Sequence, residues 1–599
     1  MTNPTPSRLA ALRETMQRHG VAAVVVPSAD PHLSEYLPAH WSAREWLSGF
    51  TGSAGTLVVA EDKAGLWTDS RYFSQAEDQL RDSGIQLMKL RVPHMPEHID
   101  WLAQQLHEGE VLAVAGDSLA LDMQRQIEGR LAIVGARLRT DLDLPGAIWP
   151  DRPPLPRSPV VAHDPAYATT RRADKLKRMR QAMHKLGASH HLLSSLDDIA
   201  WLTNLRGSDV ECNPVFLAHL LLQPDDRATL FVQRSKLDDA LVAALAADGI
   251  GIADYASTTS VLAELGEPDS LLLDESRVVS TIAAAVAPGV KRILRANPST
   301  AFKAIKTGPE LDHVREVMRR DGAALVRGFR RLEQRLAAGM TVTELDVDSL
   351  LHEERSAQPG WVGESFATIA GYQANGALPH YRALPESHST LQAKGLLLVD
   401  SGGQYLGGTT DITRVLALGE TTEEQRRDAT LVLKGMIGLS RARFPKGASG
   451  PQLDALARAP LWAAGMDYGH GTGHGVGYFL NVHEGPHGIR PPREGGALVA
   501  LEPGMITSIE PGVYKPGRHG IRHENLVVVI EAEQSEFGEY RAFETLTLCP
   551  FDRRALEPRL LNPEERAWLD DYHATVRAAL SPLLEDADLE WLNRHCAPL

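Results

Sequence analysis

Between Trp149 and Val160 the chain reads PDRPPLPRSP, and Pro150, Pro153, Pro154, Pro156 and Pro159 hold the backbone extended while removing donors that a helix or a sheet ladder needs. No packed core runs through such a segment, so it predicts a boundary between separately folded parts. A second boundary is expected near RANPSTAFKAIKTGPEL, where Asn297 and Pro298 read as a turn and Pro309 with Glu310 opens a long helical pattern. At roughly 150 residues per domain a chain of 599 residues holds three or four domains. The two breaks give three: 1–158, 159–302 and 303–599, the last with about half the chain and a helical C-terminal extension.

The first two parts repeat one plan. One reads GVAAVVVPSADPHLSEYL, EWLSGFTGSAG and TLVVAEDKAGLWTD; the other reads GASHHLLSSLDDIAWLTNLRG and VFLAHLLLQPDDRATLFV. Each predicts a helix, a buried strand, a helix bearing Trp46 or Trp201, a glycine-containing loop and a hairpin turned by polar residues. Alternating helices and strands imply α/β domains. From Arg171 to Lys185 the basic residues Arg171, Arg172, Lys175, Lys177, Arg178, Arg180 and Lys185 accompany Leu176, Met179, Met183 and Leu186 at helical spacing, as a solvated face over an apolar stripe does. Near the end, Asn562, Pro563 and Glu565 fit N-cap, first helical position and reciprocal capping partner, with Trp568, Leu569, Tyr572 and Val576 following at helical spacing.

Composition narrows the function. Hydrophobic residues at 43% and charged residues at 23% are those of a soluble globular protein. Lysine and arginine total 62 against 77 acids, and a net charge of −15 gives no electrostatic reason to expect nucleic acid or an anionic membrane as partner. Apolar runs such as VAAVVV fall far short of the ~18 residues of a membrane span, and the N-terminal stretch lacks the unbroken apolar core of a secretory signal. Cys212, Cys549 and Cys596 are too few and too scattered for a disulfide framework or a four-thiolate zinc site, so a reducing cytoplasm is expected.

The chemistry lies in the last half. LLLVDSGG is a short buried strand ending in Asp400, and GGTTDITRVLAL presents Asp411 in a β-rich context, so two carboxylates emerge from adjacent strands. YGHGTGHGVG follows with His470 and His474, TSIEPGVY with Glu510 and GIRHENLVVV with Glu524. If Asp400, Asp411, Glu510 and Glu524 converge, they repel one another and take up protons unless cations are supplied. Two divalent metals would neutralise them. With His474 as the only nitrogen ligand the set is oxygen-rich, which favours manganese, with cobalt, iron or zinc as competitors. Ions ~3.5 to 4 Å apart would bridge a water and supply hydroxide at neutral pH, and hydrolysis is the natural outcome.

Two motifs mislead. His483-Glu484-Gly485-Pro486-His487 matches H-E-x-x-H, but that zinc chemistry needs a helix and Gly485-Pro486 forbids one. Gly471, Gly473, Gly475 and Gly477 alternate without the spacing of a dinucleotide fingerprint, so close packing around His474 explains them better.

The ordered set, with its motifs, resembles the pita-bread metallopeptidases: aminopeptidase P, prolidase and methionine aminopeptidase. Within that group the chain is most similar to the three-domain, cytosolic Xaa-Pro aminopeptidases. The likeness covers nearly its whole length, through FTGSAGT, WTDSRYF, IAWLTNLRGSDVECNPVF, VDSGGQYLGGTTDITR, HGTGHGVGYFLNVHEGP and the C-terminal EWLNRHCAPL. It implies two creatinase-N-like α/β domains before a pita-bread catalytic domain of α+β type. It also implies a metalloaminopeptidase that removes the residue before an N-terminal proline bond by a hydroxide activated between two metals, and a homodimer.

The resemblance carries roles onto residues. Asp400 is expected to give two oxygens to one metal, Asp411 and Glu524 to bridge, and His474 and Glu510 to bind the second metal. Glu510 is also the expected proton-transfer carboxylate. His380 in GALPHYRA and His483 in NVHEGP are expected beside the scissile carbonyl, with His470 as a further substrate-binding residue. Arg522, two before Glu524, would project from the same side of a strand as that ligand and clamp a carboxylate or orient substrate. The near rival is prolidase, which takes only Xaa-Pro dipeptides; the three-part layout argues against it. Methionine aminopeptidases resemble only the last part, creatinase works without metals, and non-enzymatic binding modules on this fold have lost ligands that this chain keeps.

Overall fold

The computed structural model describes residues 3–91, 95–492 and 498–599, a span that includes every candidate site residue. The chain forms two compact units, Met1–His163 with Thr170–Thr300, and Asp164–Thr169 with Ala301–Leu599.

The first unit contains two six-stranded sheets. One is built from β1 (Ala23–Pro27), β2 (Thr56–Ala60), β3 (Ala64–Thr68), β4 (Gln86–Lys89), β5 (Val111–Val114) and β6 (Arg137–Arg139) in the order β4-β3-β2-β1-β5-β6. The other is built from β7 (His190–Leu193), β8 (His219–Leu222), β9 (Ala228–Phe231), β10 (Ile250–Ala253), β11 (Ser270–Leu273) and β12 (Lys291–Leu294) in the order β10-β9-β8-β7-β11-β12. The orders correspond strand for strand. In each, the leading strand pairs antiparallel with the hairpin and parallel with the strand that follows. In the first sheet β1 is apolar on both faces because helices cover both: Leu9, Leu12 and Leu47 pack on one side, Ile99, Leu102 and Ile127 on the other. Trp46 and Trp201 sit on the matching helices Ala43–Ser48 and Leu196–Thr203.

Two local expectations are corrected. Lys175 is only 6% exposed because its ammonium donates to the Trp201 carbonyl at 2.9 Å and to Asn204 Oδ1 at 2.7 Å, whereas Leu186, at the helix end, is 38% exposed. Pro298 opens a short helix, Pro298–Ala304, and does not turn the chain; Asn297 just before it is buried and donates to Asp198 at 3.2 Å.

In the second unit the helix Gly308–Ala337 opens at Pro309 and Glu310, as the sequence predicts, and Thr307 caps it through a reciprocal bond with Glu310. A three-stranded sheet places Leu396–Ser401 between Ile369–Tyr372 and Ile412–Ala417, with Asp400 opposite Thr413. A six-stranded sheet runs Phe444–Pro445, Gly538–Thr545, Asn525–Ser535, Ile506–Ile509, Gly473–Gly475, Glu484–Ile489. Helices Glu423–Ser440 and Pro563–Leu580 supply Val432, Leu433, Leu569 and Val576 to the core shared with the sheets. The second helix has the expected Asn562–Glu565 capping box. Among the described residues no helix is long and apolar enough to cross a membrane.

A separate two-stranded hairpin, Gly512–Lys515 with His519–Arg522, crosses the loop at Gly376. A Cβ on Gly520 would lie 1.6 Å from the Gly376 carbonyl oxygen. Gly520→Ala is therefore expected to cost about 3 kcal/mol of stability, read by urea denaturation; a loss within experimental error would show that the loop yields.

Candidate metal centre

The candidate site forms where chain ends leave buried strands. Asp400 is the fifth residue of Leu396–Ser401, and Asp411 stands just before the neighbouring strand Ile412–Ala417. Glu510 follows Ile506–Ile509, with its backbone N–H on the Thr472 carbonyl at 2.7 Å. His474 lies on the strand next to it, where Gly473 and Gly475 admit neighbouring backbone: a Cβ would meet the Ser508 oxygen at 1.9 Å and the Glu484 oxygen at 2.1 Å. Glu524 falls in the break between His519–Arg522 and Asn525–Ser535, strands of different sheets, so the expectation that Arg522 and Glu524 share one strand is wrong. They meet instead through Thr413, whose hydroxyl accepts from Arg522 Nε at 3.1 Å and donates to Glu524 Oε2 at 2.8 Å.

His474 Nε2 lies 3.4 Å from Asp411 Oδ2 and 3.3 Å from Glu510 Oε1. Its Nδ1 bonds the Gly475 carbonyl at 3.0 Å, which fixes that nitrogen as the donor and turns Nε2 toward the acids. Ligand atoms of Asp411, His474 and Glu524 all lie within 4.8 Å of one another, a grouping able to hold a metal ion. Asp400 Oδ2 accepts from Arg522 Nη2 at 2.5 Å. Asp400 Oδ1 and Glu524 Oε1, both buried, have no hydrogen-bond partner among the described residues.

The electrostatics ask for cations. Burial, with Asp411 and Glu510 nearby, pushes the Asp400 carboxyl up to about 6 against the pull of Arg522. Burial and the three neighbouring carboxylates drive Glu524 well above the usual carboxylate range. Burial alone would lower His474, but its hydrogen bond to Asp411 and the charge of Glu510 outweigh it and raise the imidazole to about 9. Orphaned oxygens, acids driven toward protonation and one imidazole aimed inward fit a pair of divalent cations bound chiefly by oxygen.

The other candidates surround this group. The His483 ring stands edge-on to His474 with centroids 4.4 Å apart. His470 Nδ1 bonds the Gly471 carbonyl at 2.7 Å and its Nε2 bonds Tyr514 OH at 2.8 Å. His380 is half-buried, one residue beyond the Pro379 carbonyl that Arg522 Nη1 reaches at 3.5 Å. His483-Glu484-Gly485-Pro486-His487 has no helix; Glu484–Ile489 is a strand.

Tyr514, Thr413 and Ser508 were missed. Tyr514 accepts from Arg522 Nη1 at 2.7 Å and so donates to His470, closing a chain from Asp400 through Arg522 to that ring. Burial pushes its phenol up to about 12 although Arg522 opposes. Ser508 Oγ accepts the His474 N–H at 2.9 Å and donates to Glu510 Oε1 at 3.1 Å. The available signal was spacing: Ser508 and Tyr514 flank Glu510 at even intervals in an extended run.

Known proteins give this arrangement a class, then a family. Residues 8–140 and 151–310 each match a model of the creatinase/prolidase N-terminal domain, 312–531 the model of metallopeptidase family M24, and 539–599 that of its C-terminal region. The doubled α/β part followed by a pita-bread domain is the layout of a metallopeptidase. The chain belongs to metallopeptidase family M24. It is 40% identical over 611 residues to "Probable Xaa-Pro aminopeptidase P" of Laccaria bicolor, covering 99% of this chain and 94% of that one. It is 39% identical to the protein of that name from Tuber melanosporum, covering 100% of both. Its structure matches the X-prolyl aminopeptidase of Caenorhabditis elegans, described as a cytosolic enzyme with a di-nuclear active site, with a TM-score of 0.94, 33% identity and 99% of each chain covered.

Proposed function

We propose that this chain is a metal-dependent Xaa-Pro aminopeptidase, which releases the N-terminal residue of peptides whose second residue is proline. The observation that carries the reading is the full-length likeness to the nematode X-prolyl aminopeptidase, 99% of each chain at a TM-score of 0.94. Proline explains the need for a dedicated enzyme: its tertiary amide has no N–H and a fixed φ, so peptidases that read an extended, hydrogen-bonding backbone fit it poorly.

Asp400, Asp411, His474, Glu510 and Glu524 would hold two divalent ions, manganese by preference, with cobalt, zinc or iron as alternatives. When bound, such ions supply Lewis acidity and make water a nucleophile at neutral pH. Glu510 takes the proton of the attacking water and returns it to the proline nitrogen as the C–N bond breaks. His380 and His483 donate to the carbonyl oxygen as charge develops there, and His470 helps hold the substrate. Arg522 fixes the Asp400 carboxylate and, through Tyr514, the orientation of His470. We assign three domains, 1–158, 159–302 and 303–599, a homodimeric state and a cytoplasmic location.

The test is product analysis on Arg-Pro-Pro before and after chelation, with Mn2+ added back. Arginine should appear, fall at least about a hundredfold with chelator and return with the ion. Hydrolysis of Arg-Pro alone would assign the chain to the dipeptidases; a metal-free, inactive protein would make it a binding module.

A further inference from the structure

Tyr514 and Arg522 reach the site from a hairpin with no third strand among the described residues: Gly512 pairs with Arg522, Tyr514 with Gly520 and Lys515 with His519. A two-stranded ribbon is marginal by itself; Val513 and Ile521 bury it in the core, and polar side-chain anchors fix more finely where its functional end stands. The anchors gather at the other end, on the helix Glu423–Ser440. Asp428 Oδ2 accepts from Lys515 Nζ at 2.5 Å and from His519 Nε2 at 2.9 Å. Four residues earlier on that helix, Glu424 Oε1 accepts from Lys515 Nζ at 2.8 Å and Arg518 Nη1 at 2.6 Å. Arg427 closes the set, with Nη2 2.9 Å from Asp428 Oδ1.

The two anchors are unequal. Glu424 and Arg518 are exposed enough for water to compete, whereas the Asp428 side chain is fully buried and the His519 side chain is 3% exposed. Removing the Asp428 charge would leave the buried His519 imidazole facing a neutral group and the Lys515 ammonium held only by the partly exposed Glu424, a costly state that the hairpin relieves by moving.

We propose that Asp428 is a positioning residue for the reaction: by holding Lys515 and His519 it fixes the hairpin that delivers Tyr514 and Arg522 to the site. The kinetic consequence rests on the peptidase reading above; the structural one does not. A shift of an ångström in Arg522 would move the Asp400 carboxylate it grips and the His470 ring beyond Tyr514, and displacement on that scale costs roughly a hundredfold in rate.

The experiment compares the full-length wild type with Asp428→Asn, Lys515→Met and His519→Gln by hydrogen exchange and by kinetics on Arg-Pro-Pro. In Asp428→Asn, amides of 512–515 and 519–522 should exchange at least about tenfold faster while those of 525–531 do not change. Its kcat should fall about tenfold or more with KM within about threefold. His519→Gln keeps a donor and should retain both properties; Lys515→Met should fall between, and serves if Asp428→Asn does not fold. Wild-type hairpin exchange in Asp428→Asn and Lys515→Met would overturn the proposal. So would faster exchange with unchanged kcat. If the wild type released no arginine, the peptidase reading would fall and the exchange data alone would decide the hairpin.

Discussion

Manganese is expected to stabilise the metal-stripped protein more strongly as pH rises, by about 3 kcal/mol more at pH 8 than at pH 6 at one free ion concentration. The reason lies in what the ions displace. In the stripped protein the His474 imidazole, raised to about 9 by Asp411 and Glu510, keeps its second proton throughout that range. A ligand nitrogen must give it up. One proton released per protein steepens binding by ~1.4 kcal/mol per pH unit. Glu524, also driven upward, adds to the slope, whereas Asp400, at about 6, contributes chiefly at and below pH 6. The stripped fold alone runs the opposite way at these groups. A carboxyl raised in the folded state, or an imidazolium stabilised there, contributes stability at low pH that is lost as pH climbs through the folded value. Neutral buried histidines such as His98, His191 and His573, all held below the usual range by burial, work the other way in acid. They do so with or without metal and cancel in the difference. Urea titrations of stripped and loaded protein at pH 6, 7 and 8 measure it, and proton release in buffers of different ionisation heat checks the count. A stabilisation independent of pH would mean that the five groups do not share a cation site.

The parts that sequence made legible are those whose physics is local. Asp400 and Asp411 adjoin apolar, β-branched runs that must be buried, so their emergence from neighbouring strands was readable from that context, and the structure adds the register that sets Asp400 opposite Thr413. The repeated α/β plan was readable because each copy carries its own strand, tryptophan helix and hairpin. What escaped was set by partners far away in the chain. Lys175 reads as a solvated basic residue until Trp201 and Asn204 are seen to enclose its ammonium. Arg522 was placed in the site for the wrong reason: the strand ends before Glu524, and Thr413, 109 residues earlier, links the two. Asp428 gave no signal at all, since its importance lies in a histidine and a lysine whose hydrogen bonds to it span 91 and 87 residues of sequence.

Glu510→Gln is expected to lower kcat on Arg-Pro-Pro by about a thousandfold, with the fold intact. The amide keeps the shape of the acid, and its oxygen can still accept the Ser508 hydroxyl that now donates to Glu510 Oε1 at 3.1 Å. It has no negative charge and takes no proton from water. Two effects would then be mixed: loss of the proton carrier, and weaker retention of whichever ion Glu510 helps to hold. They separate by experiment. Metal content is measured first, at a free ion concentration that saturates the wild type, and kcat is compared only at equal occupancy. Ser508→Ala supplies the companion case, because it removes one hydrogen bond to the carboxylate and leaves the charge; it should cost about tenfold at most. His474 reports independently. The charge of Glu510 is one of the causes that raise it to about 9, so in metal-stripped Glu510→Gln the imidazole should titrate at lower pH, visible as a shift in its ring resonances. If the fully loaded variant kept more than about a tenth of the wild-type kcat, the proton would have to travel by another group, and His380 and His483, which we propose as donors to the carbonyl, would become the ones to test.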